Sequence, residues 1–321
     1  MRLFAVTLAL CTLLANHVAE AADAYPSRPV KIICVYPAGG GLDIVMRAIG
    51  QKLSQTWGRP VIVENVAGAG TTLGAAATAK ATADGYTILA TDISFSIAAS
   101  FYAKLPYDSV KDLTPISMFA TASHAIVVNS SVPVKSVSEL IAYAKANPQK
   151  AFFATPGPGT IDHLAWAQIN KIAGGAIVAV PYKGSAGSLI DVVAGRVQIY
   201  SGATGTVVQY IKSGQLRALA VFEDERAKVL PDVATIAEAG QPDLLMNAWY
   251  GLFAPAGTPR EIVDEINTQV TKAIETKDVQ DTLALLGNAP IVGVGPDKFE
   301  KFLKADIDKW RKVVALDDKQ P

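Results

Sequence analysis

The residues with the clearest chemical potential are glycines set just before helices. They fall in four turns: Gly39, Gly40 and Gly41; Gly68 and Gly70; Gly157 and Gly159; and Gly184, which follows Lys183. A glycine turn that opens a helix presents free backbone N–H groups together with the positive end of the helix dipole, and this combination suits an anion. One such turn is equally well explained as a tight corner that needs φ > 0. Four of them, each at the C-terminal end of an expected strand, point to a shared anion site, because ligands of open α/β sheets bind at those ends.

Other chemistry finds few candidates. Beyond the N-terminal segment the only histidines are His124 and His163. Gly184-Ser-Ala-Gly187-Ser lacks the spacing of a nucleophile elbow, and no His, Cys or Asp group has metal-ligand spacing. Gly68-x-Gly70-x-x-x-Gly74 is one residue too long for a dinucleotide fingerprint, and no distinct acidic end to the next strand fits a ribose. No catalytic residue, metal or cofactor is therefore assigned. His163, about one turn into the helix that Thr160 opens, either donates to a bound carboxylate or packs locally. Lys183, after Tyr182, is either a solvated charge or a ligand contact. The rings of Trp249 and Tyr250 fit core packing or a cleft wall.

Elements that could hold these turns recur along the chain. Residues 30–36, 60–64 and 86–90 read as strands, the last ending at the polar turn Thr91-Asp92. Residues 44–53 and 71–81 read as helices, with Asp43 placed to cap the first. The middle repeats the scheme. Strands are expected at 125–128, 151–154, 177–180, 197–200 and 216–222. Helices are expected at 137–146 behind a Ser136 cap, after Thr160, and at 188–194. Two amphipathic helices, 259–276 and 296–316, follow. Alternating strands and helices predict an α/β fold with parallel, doubly wound sheets. The chain would cross from a first domain to a second near 116–121 and return near 218–222, so that residues 22–118 and 221–321 form lobe 1 and 119–220 form lobe 2. Two crossings make a hinge, and the cleft between the lobes is the natural ligand site.

The chain start reads as an export leader. Met1-Arg2 is basic, residues 3–15 are apolar, and Ala19-Glu-Ala21 offers a small-x-small cleavage pattern, so cleavage is expected after Ala21. The apolar run is shorter than the roughly 20 residues needed to span a bilayer, and no later stretch reads as a membrane helix. The 29 basic and 29 acidic residues balance, so bulk charge recruits neither nucleic acid nor an acidic membrane. Cys11 lies in the leader. Cys34 is then single and sits in an apolar strand, which marks a buried structural thiol.

The ordered motifs resemble those of the Bug-type receptors, the periplasmic solute-binding proteins of tripartite tricarboxylate transporters. The likeness runs through Tyr36-Pro-Ala-Gly-Gly-Gly-Leu-Asp43, Val63-Glu-Asn-Val-Ala-Gly-Ala-Gly70, Ala83-Asp-Gly-Tyr-Thr87, Tyr102-Ala-Lys-Leu-Pro-Tyr-Asp108, Pro181-Tyr-Lys-Gly-Ser185 and Gly251-Leu-Phe-Ala-Pro-Ala-Gly-Thr-Pro259. It implies a two-lobed, type II-like periplasmic binding fold, with each lobe a sheet flanked by helices. It also implies a small mono-, di- or aromatic carboxylate held largely by backbone N–H groups, and membrane subunits of the transporter as partners. By motif, contacts would come from Tyr36, Ala38, Gly39, Gly40, Gly41, Ala69 and Gly70 on one lobe. Thr155, Gly157, Gly159, Thr160, His163, Tyr182, Lys183 and Gly184 would serve on the other, and Thr91, Gly202 and Ala203 complete the candidate set. Many members carry an Asp just after the strand that here ends at Tyr200. This chain has Ser201-Gly202-Ala203 instead, which argues against an amino-acid ligand and leaves room for a larger one. A monomer is expected. The rival readings are a receptor that feeds a signalling partner and a secreted hydrolase.

Overall fold

The computed structural model describes residues 25–314 apart from 149 and 183. The expected leader, its cleavage after Ala21 and the candidate contact Lys183 lie outside the described residues.

The chain first alternates strand and helix: β1 (Val30–Cys34), α1 (Gly41–Trp57), β2 (Val61–Asn65), α2 (Thr72–Ala79), β3 (Thr87–Asp92), α3 (Ser94–Phe101) and β4 (Leu113–Ala122). The pattern then continues with β5 (His124–Asn129), α4 (Val137–Ala146), β6 (Ala151–Thr155), α5 (Ile161–Ile172), β7 (Ile177–Pro181), α6 (Ser185–Val193), β8 (Ile199–Ala203), α7 (Thr204–Lys212) and β9 (Leu216–Val221). Last come β10 (Ala248–Pro255) and three helices, α8 (Arg260–Ile274), α9 (Lys277–Leu285) and α10 (Pro296–Val314). The ends are set by local chemistry. The Ser136 side chain accepts the Glu139 N–H at 3.1 Å and so caps α4. Asp43 does not cap α1 as expected. Gly40 holds the cap position, and Asp43, in the first turn, reaches back to the Gly39 N–H at 2.9 Å.

Among the described residues ten strands make two five-stranded sheets, ordered β2-β1-β3-β10-β4 and β7-β6-β8-β5-β9. Both are mixed rather than parallel. The strands β1, β2 and β3 run parallel, as do β6, β7 and β8, but β10 inserts antiparallel between β3 and β4, and β5 inserts antiparallel between β8 and β9. The antiparallel insertions are the strands that enter each sheet from the other one. The outbound crossing expected between 118 and 119 falls inside β4, which stays in the first sheet because β10 pairs with it from Pro255↔Leu113 to Ala248↔Ala122. Ser123 alone separates the two sheets there, and the return begins after Val221.

Buried aliphatic residues on β1, β3 and α1, among them Ile32, Leu89, Val45 and Ile49, fill the first lobe. Cys34 is buried among them, and burial pushes its thiol up to about 12. The C-terminal helices return to this lobe. Both Trp249 on β10 and Trp310 on α10 donate their indole N–H to the buried carboxylate of Asp306, each at 3.1 Å, which ties α10 to the sheet. Among the described residues no helix is long and apolar enough to cross a membrane. Trp310 is fully buried, so Trp310→Ala should cost about 3–5 kcal/mol in urea unfolding through the cavity it leaves. A loss under about 1 kcal/mol would show that α10 is not part of the packed lobe.

Candidate functional site

The glycine turns of one lobe meet those of the other. Gly39 has φ +84° and Gly70 has φ +59°, conformations that favour glycine. A Cβ on Gly70 would collide with the carbonyl of Pro158, and the Tyr102 hydroxyl donates to that same carbonyl at 2.9 Å. A Cβ on Gly184 would stand 2.7 Å from Cγ of Pro37, and one on Gly41 would stand 3.3 Å from Cβ of Ala203. The Ile161 N–H donates to Ser94 Oγ, 3.3 Å away on the opposite lobe. The lobes are therefore shut on each other at two pairs of turns.

Between them lies a cavity of about 470 Å³. Of the candidate contacts, Tyr36, Ala38, Gly39, Gly40, Gly41 and Ala203 line it. The first-turn N–H groups of a helix have no partner within the helix, and Gly41 and Leu42 place those of α1 at this wall. The turn is braced from behind by Asp43, which is buried and accepts from Gly39, from Asn65 Nδ2 at 2.8 Å and from Arg47 Nε at 3.1 Å. Burial raises this carboxyl, and the three donors outweigh that and hold it below its ordinary value.

The remaining candidates sit elsewhere. Gly70, Gly157 and Gly159 form the second contact between lobes, where Gly159 packs on Tyr102, and Ala69, beside Gly70, has φ +46° and accepts from Thr72 Oγ1 at 2.7 Å. Thr91 is buried in β3 opposite Gly251. Thr160 caps α5 and donates to Gly157 O at 2.8 Å, and Thr155 O accepts the Tyr182 N–H. The His163 ring stands edge-on to Phe101, with centroids 5.2 Å apart, and next to Trp166. The Tyr182 hydroxyl donates to Asp191 at 2.8 Å, and Gly184 meets Pro37 at the first contact between lobes. The space beside Gly202 is not open to a ligand: a Cβ there would collide with the Tyr200 hydroxyl. Tyr250 lines the cavity, whereas Trp249 belongs to the core.

Residues that sequence reasoning missed also line this cavity: Asp92, His124, Asp162 and Tyr200. Asp92 ends β3, and its carboxylate accepts the Tyr36 hydroxyl and the Ser94 N–H, each at 2.9 Å. Burial raises its pKa against the pull of His124 and these donors. Asp162, in the first turn of α5, accepts from Ser201 Oγ at 2.5 Å. Burial pushes it up to about 6, with His124 and Ser201 opposing and Asp92 adding. The available signal was positional, since both acids stand where strands end or helices open toward the cleft.

The crossing itself is hydrogen-bonded. Glu223, just past the return, accepts the His124 N–H at 2.7 Å and the Ser123 hydroxyl at 3.1 Å, while the Ser123 and Thr204 hydroxyls meet at 2.6 Å. Burial pushes Glu223 up to about 7 despite these donors. A carboxyl raised above its unfolded value of 4.5 binds more protons in the folded chain, so its contribution is full below that value and is lost as pH climbs to about 7. Between pH 5 and 7.5 the parent should lose on the order of 1–3 kcal/mol more stability than Glu223→Gln. Urea unfolding at both pH values checks this, and equal losses would contradict it.

The family model described as the tripartite tricarboxylate transporter family receptor matches residues 45–317. BugT of Bordetella pertussis (strain Tohama I) is 36% identical over 295 residues, covering 91% of this chain and 90% of BugT. The solved periplasmic binding protein BugD superposes with a TM-score of 0.87 at 30% identity, covering 91% of this chain and 98% of BugD. MatC from Rhodopseudomonas palustris, solved with bound malate, superposes at 0.86 and 30% identity, covering 90% of this chain and all of MatC (100%). With two mixed sheets, two crossings and a cavity between lobes, the chain belongs to the receptor family of the tripartite tricarboxylate transporters, a family of periplasmic solute-binding proteins.

Proposed function

We propose that this receptor captures a small carboxylate in the cavity between its lobes and presents the shut form to the membrane subunits of a transporter. The observation that carries the reading is the first turn of α1, whose N–H groups open on the cavity between the lobes at a helix N-terminus. The malate in MatC is a carboxylate bound by a similar chain. Lobe 1 comprises the chain up to Ser123 together with the segment after Val221, and lobe 2 the chain between them. The leader ending at Ala21 exports the chain, which acts as a monomer and performs no catalytic step. Of the candidate set, Tyr36, Ala38, Gly39, Gly40, Gly41 and Ala203 contact the ligand directly. Ala69, Gly70, Gly157, Gly159 and Gly184 act by letting the lobes close, and Thr91, Thr155, Thr160, His163, Tyr182 and Gly202 support the walls. Lys183, next to the Gly184 contact, remains a candidate partner for the carboxylate. Closure selects the ligand because only the shut state offers contacts from both lobes.

Ligand-stripped protein, melted against a panel of mono-, di- and tricarboxylates, should be stabilised by about 2.7 kcal/mol at a hundredfold excess over Kd with at least one acid. A panel without any shift would contradict carboxylate capture. Gly70→Ala places a Cβ against Pro158 O and should weaken binding of that acid at least tenfold by calorimetry. An unchanged affinity would show that binding does not need the lobes to shut.

A further inference from the structure

We propose that lobe 1 carries a second binding site, separate from the cleft, for a small neutral polyhydroxy compound of the sugar or polyol class. The site is a cavity of about 560 Å³ between the loop of residues 102–112 and α10. That loop contains Tyr102-Ala-Lys-Leu-Pro-Tyr-Asp108, a motif none of whose residues lines the cavity between the lobes.

The walls are built from fixed parts. The Ser100 hydroxyl donates to the Ile307 carbonyl at 3.0 Å, which holds α3 against α10. The Asp112 N–H donates to Asp108 O at 2.9 Å, and the Ala256 N–H donates to Asp112 O at 3.0 Å. The loop is thus closed on itself and tied to the chain just past β10. The Tyr107 ring stacks on buried Phe95, with centroids 6.0 Å apart and planes 10° from parallel.

The unmet demand in this cavity is neutral. Tyr107 is 7% exposed and Ser109 5% exposed, and both line it. Burial raises the Tyr107 phenol and the neighbouring Ser109 hydroxyl pulls the other way, yet neither hydroxyl completes a hydrogen bond to a described residue. Buried hydroxyls without a partner are rare enough to point to an occupant. The charged groups, by contrast, are already matched. Asp108 accepts the Val110 and Lys111 N–H groups, each at 3.0 Å, and pairs with Lys111 Nζ at 3.2 Å. Arg311 pairs with Asp308 at 2.7 Å. A ligand of either charge would meet both signs here and gain little. Each alcohol of a polyol both donates and accepts, so it answers the two hydroxyls. It can also donate to Asp112, which takes the Asp108 N–H at 2.7 Å and, like any carboxylate, offers about four acceptor sites. Tyr102, Leu105, Pro106 and Ile307 line the same cavity and give the C–H faces of a sugar ring an apolar surface.

Titration calorimetry of the purified protein against glycerol, ribose, glucose, galactose and myo-inositol tests this. At least one should bind with a Kd of about 1 mM or tighter. Tyr107→Phe keeps the ring on Phe95 and deletes only the hydroxyl, and Ser109→Ala deletes the other. Each should weaken that binding about tenfold, so either variant serves if the other does not fold. Deleting a hydroxyl that has no partner should leave the melt of the ligand-free Tyr107→Phe protein within about 4 °C of the parent. Four outcomes would overturn the inference: no binding by any member of the panel, binding unchanged in the folded variants, a larger drop in that melt, or glucosamine or glucose 6-phosphate binding tenfold tighter than glucose. None of them touches carboxylate capture, which takes place in the other cavity.

Discussion

The two lobes meet where a glycine of one faces a proline of the other, Gly70 against the carbonyl of Pro158 and Gly184 against the ring of Pro37. A side chain at Gly70 would hold the lobes apart, and the rest of the site depends on their meeting. The N–H groups of α1 come from one lobe and the wall containing Ala203 and Leu189 from the other. Neither lobe encloses a ligand alone. Closure brings the two half-sites together, so the energy that keeps the lobes shut can come from a ligand that bridges them.

The same closure concentrates charge. Asp92 and Asp162, on opposite lobes, enter one cavity with His124 beside them at the crossing. Water would screen these groups in an open cleft; the shut form removes much of that screening and raises both acids. The crossing between the sheets follows a similar logic. Glu223 joins the outbound and returning strands through hydrogen bonds from Ser123 and His124. The crossing is thus held by a half-buried carboxyl whose pKa is shifted up to about 7.

Much of this was legible in the sequence where a residue's role is local. Positive φ at Gly39, Gly70, Gly157, Gly159 and Gly184 announces itself as glycine, and the caps Ser136 and Thr160 sit at their helix starts. The helix α3 was missed because Ser94, Phe95, Ser96, Ile97, Ala98 and Phe101 are all buried, leaving no polar stripe to read. The mixed sheets were missed because β5 and β10 take their places only through pairing across the crossings. The cavity acids were hidden for a related reason. Asp92 resembles a turn residue and Asp162 a first-turn helix acid, and only the tertiary fold brings them together. Gly202 misled in the other direction, since the space it leaves is filled by Tyr200.

A crystal structure of the ligand-saturated protein tests the central claim most directly. The account predicts a ligand carboxylate on the first-turn N–H groups at Gly41 and Leu42, with the far end of the ligand touching residues of the second lobe. A ligand held by one lobe alone, or bound outside this cavity, would contradict it.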